Sequence, residues 1–207
     1  MARRYVLEGV MNRRSIVEHF RHFDGYASAS IRGTPMPKRA PIDAIALLKA
    51  DHRKVEDLFA QYEKAKAPGR KKNLASQICL ELAVHTKIEE DVFYPGCRED
   101  GVDEDMMDEA YVEHDAAKVL VAEIEAASPE DEYYDAKVKV LSEMIKHHVK
   151  EEEKKQGNMF SKAKKAGVDT KALGEQMAEE KKGLLAKYKA EGVPKPVTPT
   201  LRGTKLA

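Results

Sequence analysis

The chain contains no tryptophan, and aromatic residues make up only 6% of its 207 positions. A low aromatic content beside abundant alanine, lysine, glutamate and leucine favours helices over a β-sandwich or a barrel. The two cysteines, Cys79 and Cys97, are too few for a disulfide framework and form no CxxC pair. Their scarcity favours a reducing compartment. These absences predict an all-α protein located in the cytoplasm.

Surplus charge and long hydrophobic runs are also missing. The 36 basic residues balance the 36 acidic residues, so the formal net charge is zero. A dedicated nucleic-acid-binding protein usually carries a marked basic surplus. No apolar run reaches the length of a membrane span, and no signal-peptide core is present. The sequence therefore predicts a soluble protein with neither a nucleic-acid partner nor a membrane partner.

Residues 1–40 differ in composition from the remainder of the chain. They are basic, with Glu8, Glu18 and Asp24 as their acidic residues. An organelle transit peptide is one interpretation, but three acidic residues and the lack of a clear cleavage signal weaken it. We favour a disordered leader, with Met36 as a plausible start of the native chain.

Helical patterns separated by dipeptides that contain proline fill the centre of the sequence. The breaks fall at Pro68-Gly69, Pro95-Gly96 and Ser128-Pro129, where turns are expected. Short connections between helices of similar length favour an antiparallel up-down-up-down four-helix bundle, predicted for residues 41–160. The four predicted helices are 41–66, 71–94, 103–127, the last capped at Asp103, and 130–155.

A C-terminal extension is predicted to follow the bundle. Residues 161–192 contain a short fifth amphipathic helix at 170–190. Residues 193–207 are rich in proline and lack apolar periodicity, which predicts a disordered tail.

Each bundle helix places a histidine on its apolar face, and two helices add a glutamate one turn later. A single such histidine usually belongs to a core and makes one hydrogen bond. Burying an unpaired carboxylate costs several kcal/mol, against a stability of about 5–15 kcal/mol for a domain. A shared cation is the simplest compensation, and a buried His-Glu hydrogen-bond network is the alternative. The six residues are His52, His85, Glu89, His114, His148 and Glu152.

Four imidazoles and two carboxylates are typical ligands of transition metals rather than of Mg²⁺ or Ca²⁺. Six ligands are too many for one tetrahedral zinc ion. Two metals fit best, each bound by two histidines and bridged by the two glutamates together with an oxo or hydroxo group. Iron is the natural choice where O₂ is the partner.

Four segments carry a resemblance to the hemerythrin-like, or HHE cation-binding, family. They are IALLKADHRKVEDLF, HTKIEEDVFYP, EHD and HHVKEEE, spread between residues 42 and 160. The resemblance implies a four-helix bundle with a non-haem di-iron centre, and it places the family's ligands on the same six residues.

Departures from the family pattern bear on activity. The oxygen carriers of the family use one histidine more than the four that this chain offers. His147 lies about 100° around the helix from His148 and is predicted to lie outside the ligand set. Glu56, four residues after His52, is interpreted as a solvated side chain. The segment EEEKKQGNMF also contains extra residues between the last ligand and the Met-Phe pair, which predicts a displaced helix end and access route.

The leading functional hypothesis is a di-iron protein that binds O₂, NO or peroxide for sensing, storage or delivery. One alternative is an oxidoreductase that decomposes peroxide or reduces NO, because the missing histidine would open a second coordination position. Another is a regulatory module whose bundle is ordered by metal. The sequence identifies no protein partner.

Overall fold

All regular secondary structure in the part of the chain that the computed structural model describes, residues 41–154 and 157–201, is helical. The all-α prediction is confirmed for these ranges. The predicted leader lies outside them, as do residues 155–156 and 202–207. Among the helices described, none is long and apolar enough to cross a membrane.

Two π-helical turns extend the helices that carry the predicted glutamates. The turn Glu89–Phe93 follows α2, and the turn Lys150–Lys154 follows α5. A 3₁₀ turn, Pro199–Leu201, lies near the C-terminus. The α-helices are α1 (Ala44–Lys64), α2 (Pro68–Ile88), α3 (Tyr94–Glu99), α4 (Glu104–Ala126), α5 (Tyr134–Val149), α6 (Met159–Ala166) and α7 (Thr170–Glu191).

Aspartates cap the start of three helices. Asp43 accepts the backbone N–H of Ala46 at 2.9 Å, ahead of α1. Asp103 caps α4 as predicted, and Asp169 caps α7. Each aspartate satisfies a backbone donor that has no partner within the helix. The position predicted for α7 is confirmed, but the expectation of a short helix is wrong, because α7 has 22 residues and α5 has 16.

Two proline positions differ from the prediction. Pro68 begins α2 rather than lying between helices, because the first helical position needs no N–H donor. Pro95 does not end its helix either, since the chain continues as α3. In the π-helical turn the Tyr94 N–H donates to the Glu89 carbonyl, and the Tyr111 hydroxyl donates to the Glu90 carbonyl at 3.4 Å. The Tyr111 hydroxyl thus supplies a donor where proline has none.

The helix predicted from residue 130 begins later, at Tyr134. Residues 128–133 form a turn in which the Ser128 N–H donates to the Asp131 carboxylate at 2.8 Å. A side chain that competes in this way for backbone donors favours a turn over another helical turn.

The six predicted site residues form a polar layer between two apolar clusters. Along α1 the histidine follows Leu48 of one cluster and precedes Val55 of the other. Along α4 the corresponding neighbours are Ala110 and Ala117. Helix α1 packs against α2, α2 against α4, α4 against α5, and α5 against α1, which closes a ring of four helices around the layer.

The C-terminal residues, in α7 and after it, pack onto α1, α2 and α4. Helix α7 contacts α1 and α2, and the Thr170 hydroxyl donates to Asp43 at 2.6 Å. Residues 193–201, which we call the C-terminal strap, pack against the bundle and are not disordered as predicted. The backbone N–H and hydroxyl of Thr200 donate to one oxygen of Asp115, at 2.8 and 2.7 Å. The predicted boundary at residue 160 falls within α6.

Candidate metal centre

The six predicted site residues converge in the buried layer. None is more than 4% exposed. Their side-chain nitrogens and oxygens form two groups, each compact enough to hold one cation, and Glu89 belongs to both groups. The groups are His52, His85, Glu89 and Glu152, and Glu89, His114 and His148.

The four histidines form two pairs. The Nε2 atoms of His52 and His85 are 3.1 Å apart, and those of His114 and His148 are 3.3 Å apart. Two nitrogens at about 2.1 Å from one metal ion, and at right angles around it, are separated by about 3.0 Å. Each pair therefore has the spacing of two neighbouring ligands of one ion.

Glu89 lies between the two histidine pairs. Its Oε2 atom is 3.1 Å from Nε2 of His85 and 3.4 Å from Nε2 of His114. These histidines belong to different pairs. A carboxylate in this position would reach an ion held by either pair.

Glu152 has the same relation to the other two histidines. Its Oε2 atom is 3.3 Å from Nε2 of His52 and 3.6 Å from Nε2 of His148. Both glutamates thus lie between the two histidine pairs.

The charges of the two glutamates fit a cationic occupant. Among the residues described, both oxygens of Glu89 and Oε2 of Glu152 accept no hydrogen bond. Burial, and then the neighbouring Glu152 charge, raises the pKa of Glu89 well above its ordinary value. Burial also acts to raise the pKa of Glu152, but His148 and His52 outweigh it and hold that pKa low. Without a cation the raised pKa favours the protonated form of Glu89, and transition-metal cations would compensate the charge of both glutamates.

Tyr94 is a site residue that the sequence analysis missed. Its hydroxyl donates to Oε1 of Glu152 at 3.0 Å and lies 3.4 Å from Nε2 of His114. Burial and the charges of Glu152 and Glu89 raise the pKa of Tyr94 well above its ordinary value, so the hydroxyl keeps its proton. In the sequence, Tyr94 is marked only as the tyrosine of the FYP segment. The direction of its side chain depends on the π-helical turn that precedes it.

Each histidine turns its second ring nitrogen, Nδ1, towards a carboxylate. We call these four acidic residues the carboxylate ring. At His114 and His148 the contact is a hydrogen bond, which fixes the tautomer and orientation of a metal-binding imidazole and leaves Nε2 free to coordinate. Nδ1 of His52 and of His85 lies farther from its carboxylate and makes no hydrogen bond with the described residues. The contacts are Asp51 with His85 (3.6 Å), Glu90 with His114 (3.0 Å), Glu113 with His148 (2.8 Å) and Glu153 with His52 (3.6 Å).

The carboxylate ring follows the order of the helices. Asp51 of α1 contacts the histidine of α2, and Glu90 after α2 contacts the histidine of α4. Glu113 of α4 contacts the histidine of α5, and Glu153 after α5 contacts the histidine of α1. Every member is the immediate sequence neighbour of one of the six predicted residues. An acidic residue beside a predicted ligand was the signal available in the sequence.

Basic side chains lie behind three members of the ring. Lys181 pairs with Asp51, Arg53 pairs with Glu153, and Lys118 donates to both oxygens of Glu90 at 2.7 and 2.9 Å. Burial acts to raise the pKa of Glu90, but its bonds to His114 and Lys118 outweigh this and lower it. The pKa of Asp51 is lowered in the same way, against burial, by His85 and Lys181. Both carboxylates are therefore ionised acceptors at neutral pH.

Two residues that the sequence analysis set aside lie outside the six-residue cluster. His147 is 57% exposed, with Nε2 at 3.4 Å from Glu113. Glu56 pairs with Arg53 on the surface of α1 at 3.0 Å. Their predicted positions agree with the structure.

Comparison with known proteins identifies the family. Residues 43–160, more than half of the chain, match the model of the hemerythrin HHE cation binding domain. The crystal structure of an HHE cation binding domain-containing protein from Mycobacterium kansasii matches with a TM-score of 0.61 over 73% of this chain and 94% of that one. At 19% identity this likeness concerns the fold alone.

A curated relative is similar over a shorter stretch. A DNA nickase of Nostoc sp. is 31% identical over 107 residues, which are 52% of this chain and 30% of the nickase. The chain thus spans less than a third of that protein. The family match confirms the resemblance of the four sequence segments, and the chain belongs to the hemerythrin HHE cation-binding domain family.

Proposed function

We propose that this protein is a non-haem di-iron protein that binds O₂, or a related ligand such as NO or peroxide, for sensing, storage or delivery. The observation that carries the proposal is the two histidine pairs with two buried glutamates between them. Among the described residues, three of the four glutamate oxygens accept no hydrogen bond, and Oε1 of Glu152 accepts one from Tyr94. Four imidazoles and two carboxylates favour iron over the hard cations Mg²⁺ and Ca²⁺.

The side chains around the centre are arranged for a small ligand. When bound, two irons would supply two electrons and an open coordination position. Tyr94 holds a proton on its hydroxyl at 3.0 Å from Glu152. Phe160 stacks on the ring of His52 at 6.1 Å between centroids, and Phe93 packs edge-on against Phe160 at 5.7 Å. These rings exclude water from one side of the site, which slows unwanted oxidation.

The structure also gives a reason to consider turnover. A cavity of about 260 Å³ opens to the surface and is lined at its inner end by His148 and Glu152. A small substrate such as peroxide would reach the centre through it, with the Tyr94 hydroxyl available as a hydrogen-bond donor. A peroxide-decomposing or NO-reducing enzyme is therefore our second candidate.

The nickase activity named for the Nostoc relative is not part of this proposal. The matched segment is 30% of that protein, so its nicking chemistry need not lie in the shared part. We further propose the up-down-up-down order for α1, α2, α4 and α5, supported by the closed ring of contacts between consecutive helices. A cytoplasmic location is proposed because Cys79 and Cys97 are both unpaired and buried.

Metal analysis of protein purified without added metal, with an absorption spectrum in air, tests the proposal. About two irons per chain with oxo-bridge bands are expected, since the donor set holds two ions. His114→Ala should lose iron, while the exposed His147→Ala should keep two per chain and serves as the matched control. A folded protein that contains no metal and does not respond to anaerobic ferrous iron would contradict the proposal.

Exposure of the reduced protein to O₂ and to peroxide separates the two candidates. A reversible, stable oxygenated spectrum supports binding. Sustained peroxide consumption that disappears in His114→Ala supports the enzyme instead.

A further inference from the structure

A second group of ligand-type side chains lies on the surface beside the buried centre. Glu109, Glu113 and His147 bring one ligand atom each within 4.8 Å of one another. The His147 side chain is 57% exposed and that of Glu113 is 22% exposed. We propose that these three residues capture a divalent transition-metal cation and pass it to the buried centre through the adjacent cavity. The inference rests on the proposed function, because it concerns how the iron site is filled.

The cavity connects the surface group with the buried ligands. Glu109 and Glu113 line its outer part, and His148 and Glu152 line its inner part. Its volume is about 260 Å³, whereas a water molecule occupies about 30 Å³ in the liquid. The space accommodates a cation together with a shell of about six waters. A hydrated ion can therefore travel from the surface to the first buried ligand before it loses its water.

A carboxylate at the inner end of the cavity attracts the cation from the surface group towards the buried centre. Oε2 of Glu152 accepts no hydrogen bond from the residues described, and Glu152 is 1% exposed. A buried carboxylate oxygen without a donor is a strong acceptor for a cation. The outer group is more exposed, so it holds an ion more weakly than the buried one does.

Glu113 joins the outer and the inner groups directly. Its Oε1 lies 3.4 Å from Nε2 of His147, and its Oε2 lies 2.8 Å from Nδ1 of His148. One carboxylate thus contacts both the exposed histidine and an inner ligand. A cation captured at the surface would already lie one side chain away from the buried pair.

The charge at the mouth favours cations. Among the described residues, the lining contains the carboxylates of Glu109 and Glu113 and the basic Lys162. Lys162 donates to Asp103 at 2.7 Å, so its charge is largely compensated. A cleft lined by charges of one sign concentrates the opposite ion and accelerates its binding.

Stopped-flow loading of the metal-free full-length protein with Co²⁺ tests the route, with the d–d absorption of Co²⁺ as the readout. The wild type should load at a rate that saturates with Co²⁺ concentration, because capture precedes transfer. The double variant Glu109→Gln/His147→Ala should need about tenfold more Co²⁺ for half-saturation, in the range of electrostatic steering. Its limiting rate and its final Co²⁺ content should equal those of the wild type, because the buried ligands are unchanged.

The matched control is Glu132→Gln, an exposed charge removal in the turn between α4 and α5. It should load like the wild type. A double variant whose half-saturation also equals that of the wild type overturns the entry route. The salt dependence of the wild-type rate gives a second measurement that needs no variant, and a rate that does not fall as salt is added overturns the route as well. A failure of the proposed function gives a different result, because in that case even the wild-type protein does not bind two ions per chain.

Discussion

Glu89 and Glu152 are chemically identical residues in one buried layer, yet their surroundings shift their pKa values in opposite directions. Burial and the charge of Glu152 raise the pKa of Glu89, whereas His148 and His52 keep the pKa of Glu152 low despite burial. In metal-free protein the raised pKa of Glu89 favours its protonated form, whereas the amide of Glu89→Gln is neutral in both the folded and the unfolded chain and can donate to Glu152. We expect metal-free Glu89→Gln to be more stable than the wild type by about 1 kcal/mol, the size of one hydrogen bond. Urea unfolding in the presence of a chelator measures this difference.

The opposite sign is expected for Glu152→Gln in the same assay. This change removes the charge that attracts His148, 3.6 Å away, and leaves buried donors less well paired. Both variants should lose most of the stabilisation that metal gives the wild type, because each bridging position loses a charge. If both variants destabilise the metal-free protein equally, the opposite pKa shifts assigned to the two glutamates are wrong.

Tyr94 supports the centre through its hydroxyl alone. Tyr94→Phe keeps the ring, which packs against Tyr111 at 5.4 Å, and removes the donor to Glu152. We expect a loss of about 1–3 kcal/mol in the unfolding free energy of metal-free protein, as for a hydrogen bond to a charged group. Metal content should stay at the wild-type value while the absorption bands of the bound metal shift. A variant with unchanged bands and unchanged stability would show that the hydroxyl has no role at the site.

Apolar periodicity was sufficient to find the six central residues because each falls on the buried face of its helix. It could not find the carboxylate ring. A residue next to a ligand lies about 100° around the helix, so the pattern marks it as pointing away from the core. Asp51 and Glu113 do point away from their own helix's buried face, but they face the histidine of a neighbouring helix. Which helix lies alongside is a property of the packed bundle and not of one helix.

Between helices, α7 approaches α1 closely at one glycine. A Cβ atom on Gly174 would lie 2.2 Å from the Ile42 carbonyl oxygen and 2.6 Å from the Ala44 nitrogen. Because these atoms are backbone, they cannot move aside cheaply. Gly174→Ala should reduce the unfolding free energy by about 1–3 kcal/mol, the usual cost of overpacking.

Gly183 of the same helix is the matched control for Gly174. A Cβ atom there meets nothing within 4 Å. Gly183→Ala should therefore stabilise the protein by about 0.5–1 kcal/mol, through helix propensity alone. Thermal unfolding of the two variants compares them directly, and a stabilising Gly174→Ala would mean that α7 does not dock against α1 as described.

Asp135 ties α5 to the ends of two other helices and predicts a pH dependence. Its carboxylate pairs with Lys71 of α2 and accepts the hydroxyl of Tyr62 of α1 at 2.7 Å, and both contacts lower the pKa of Asp135. A pKa below that of the unfolded chain contributes stability above pH of about 4, which is lost as pH falls further. Asp135→Asn should be less stable than the wild type at neutral pH, and the gap should close in acid. Urea unfolding from pH 7 to pH 3 measures the gap, with Asp57→Asn on the exposed face of α1 as the control.

The prolines mark where sequence rules for helix ends were insufficient. Both Pro68 and Pro95 were interpreted as breaks, yet each lies at the first positions of a helix. At Pro68 the proline is tolerated because its nitrogen has no intrahelical acceptor. At Pro95 the tolerance depends on the Tyr111 hydroxyl, 3.4 Å from the Glu90 carbonyl, a contact from another helix that no local pattern contains.

The described part of the chain depends on the centre because the contacts of the centre reach most of the described helices. The six central residues come from α1, α2, α4, α5 and the two π-helical turns. Lys181 of α7 pairs with Asp51, and Lys118 links Glu90 to Asp115, which in turn accepts from Thr200 of the C-terminal strap. A change at the centre should therefore alter the stability of α7 and of the C-terminal strap.

Metal removal should consequently lower the stability of the whole described bundle in one transition. A ligand that binds the folded state alone at about 1,000 times its dissociation constant adds about 4 kcal/mol. Chelation should lower the unfolding midpoint by a corresponding amount and should increase proteolysis within α7 as well as within α1. Calorimetry with and without metal measures the first effect, and peptide mapping of a limited digest measures the second. An unchanged midpoint would mean that the buried histidines and glutamates satisfy one another without a cation. Increased cleavage confined to the π-helical turns would mean that the centre and α7 unfold independently.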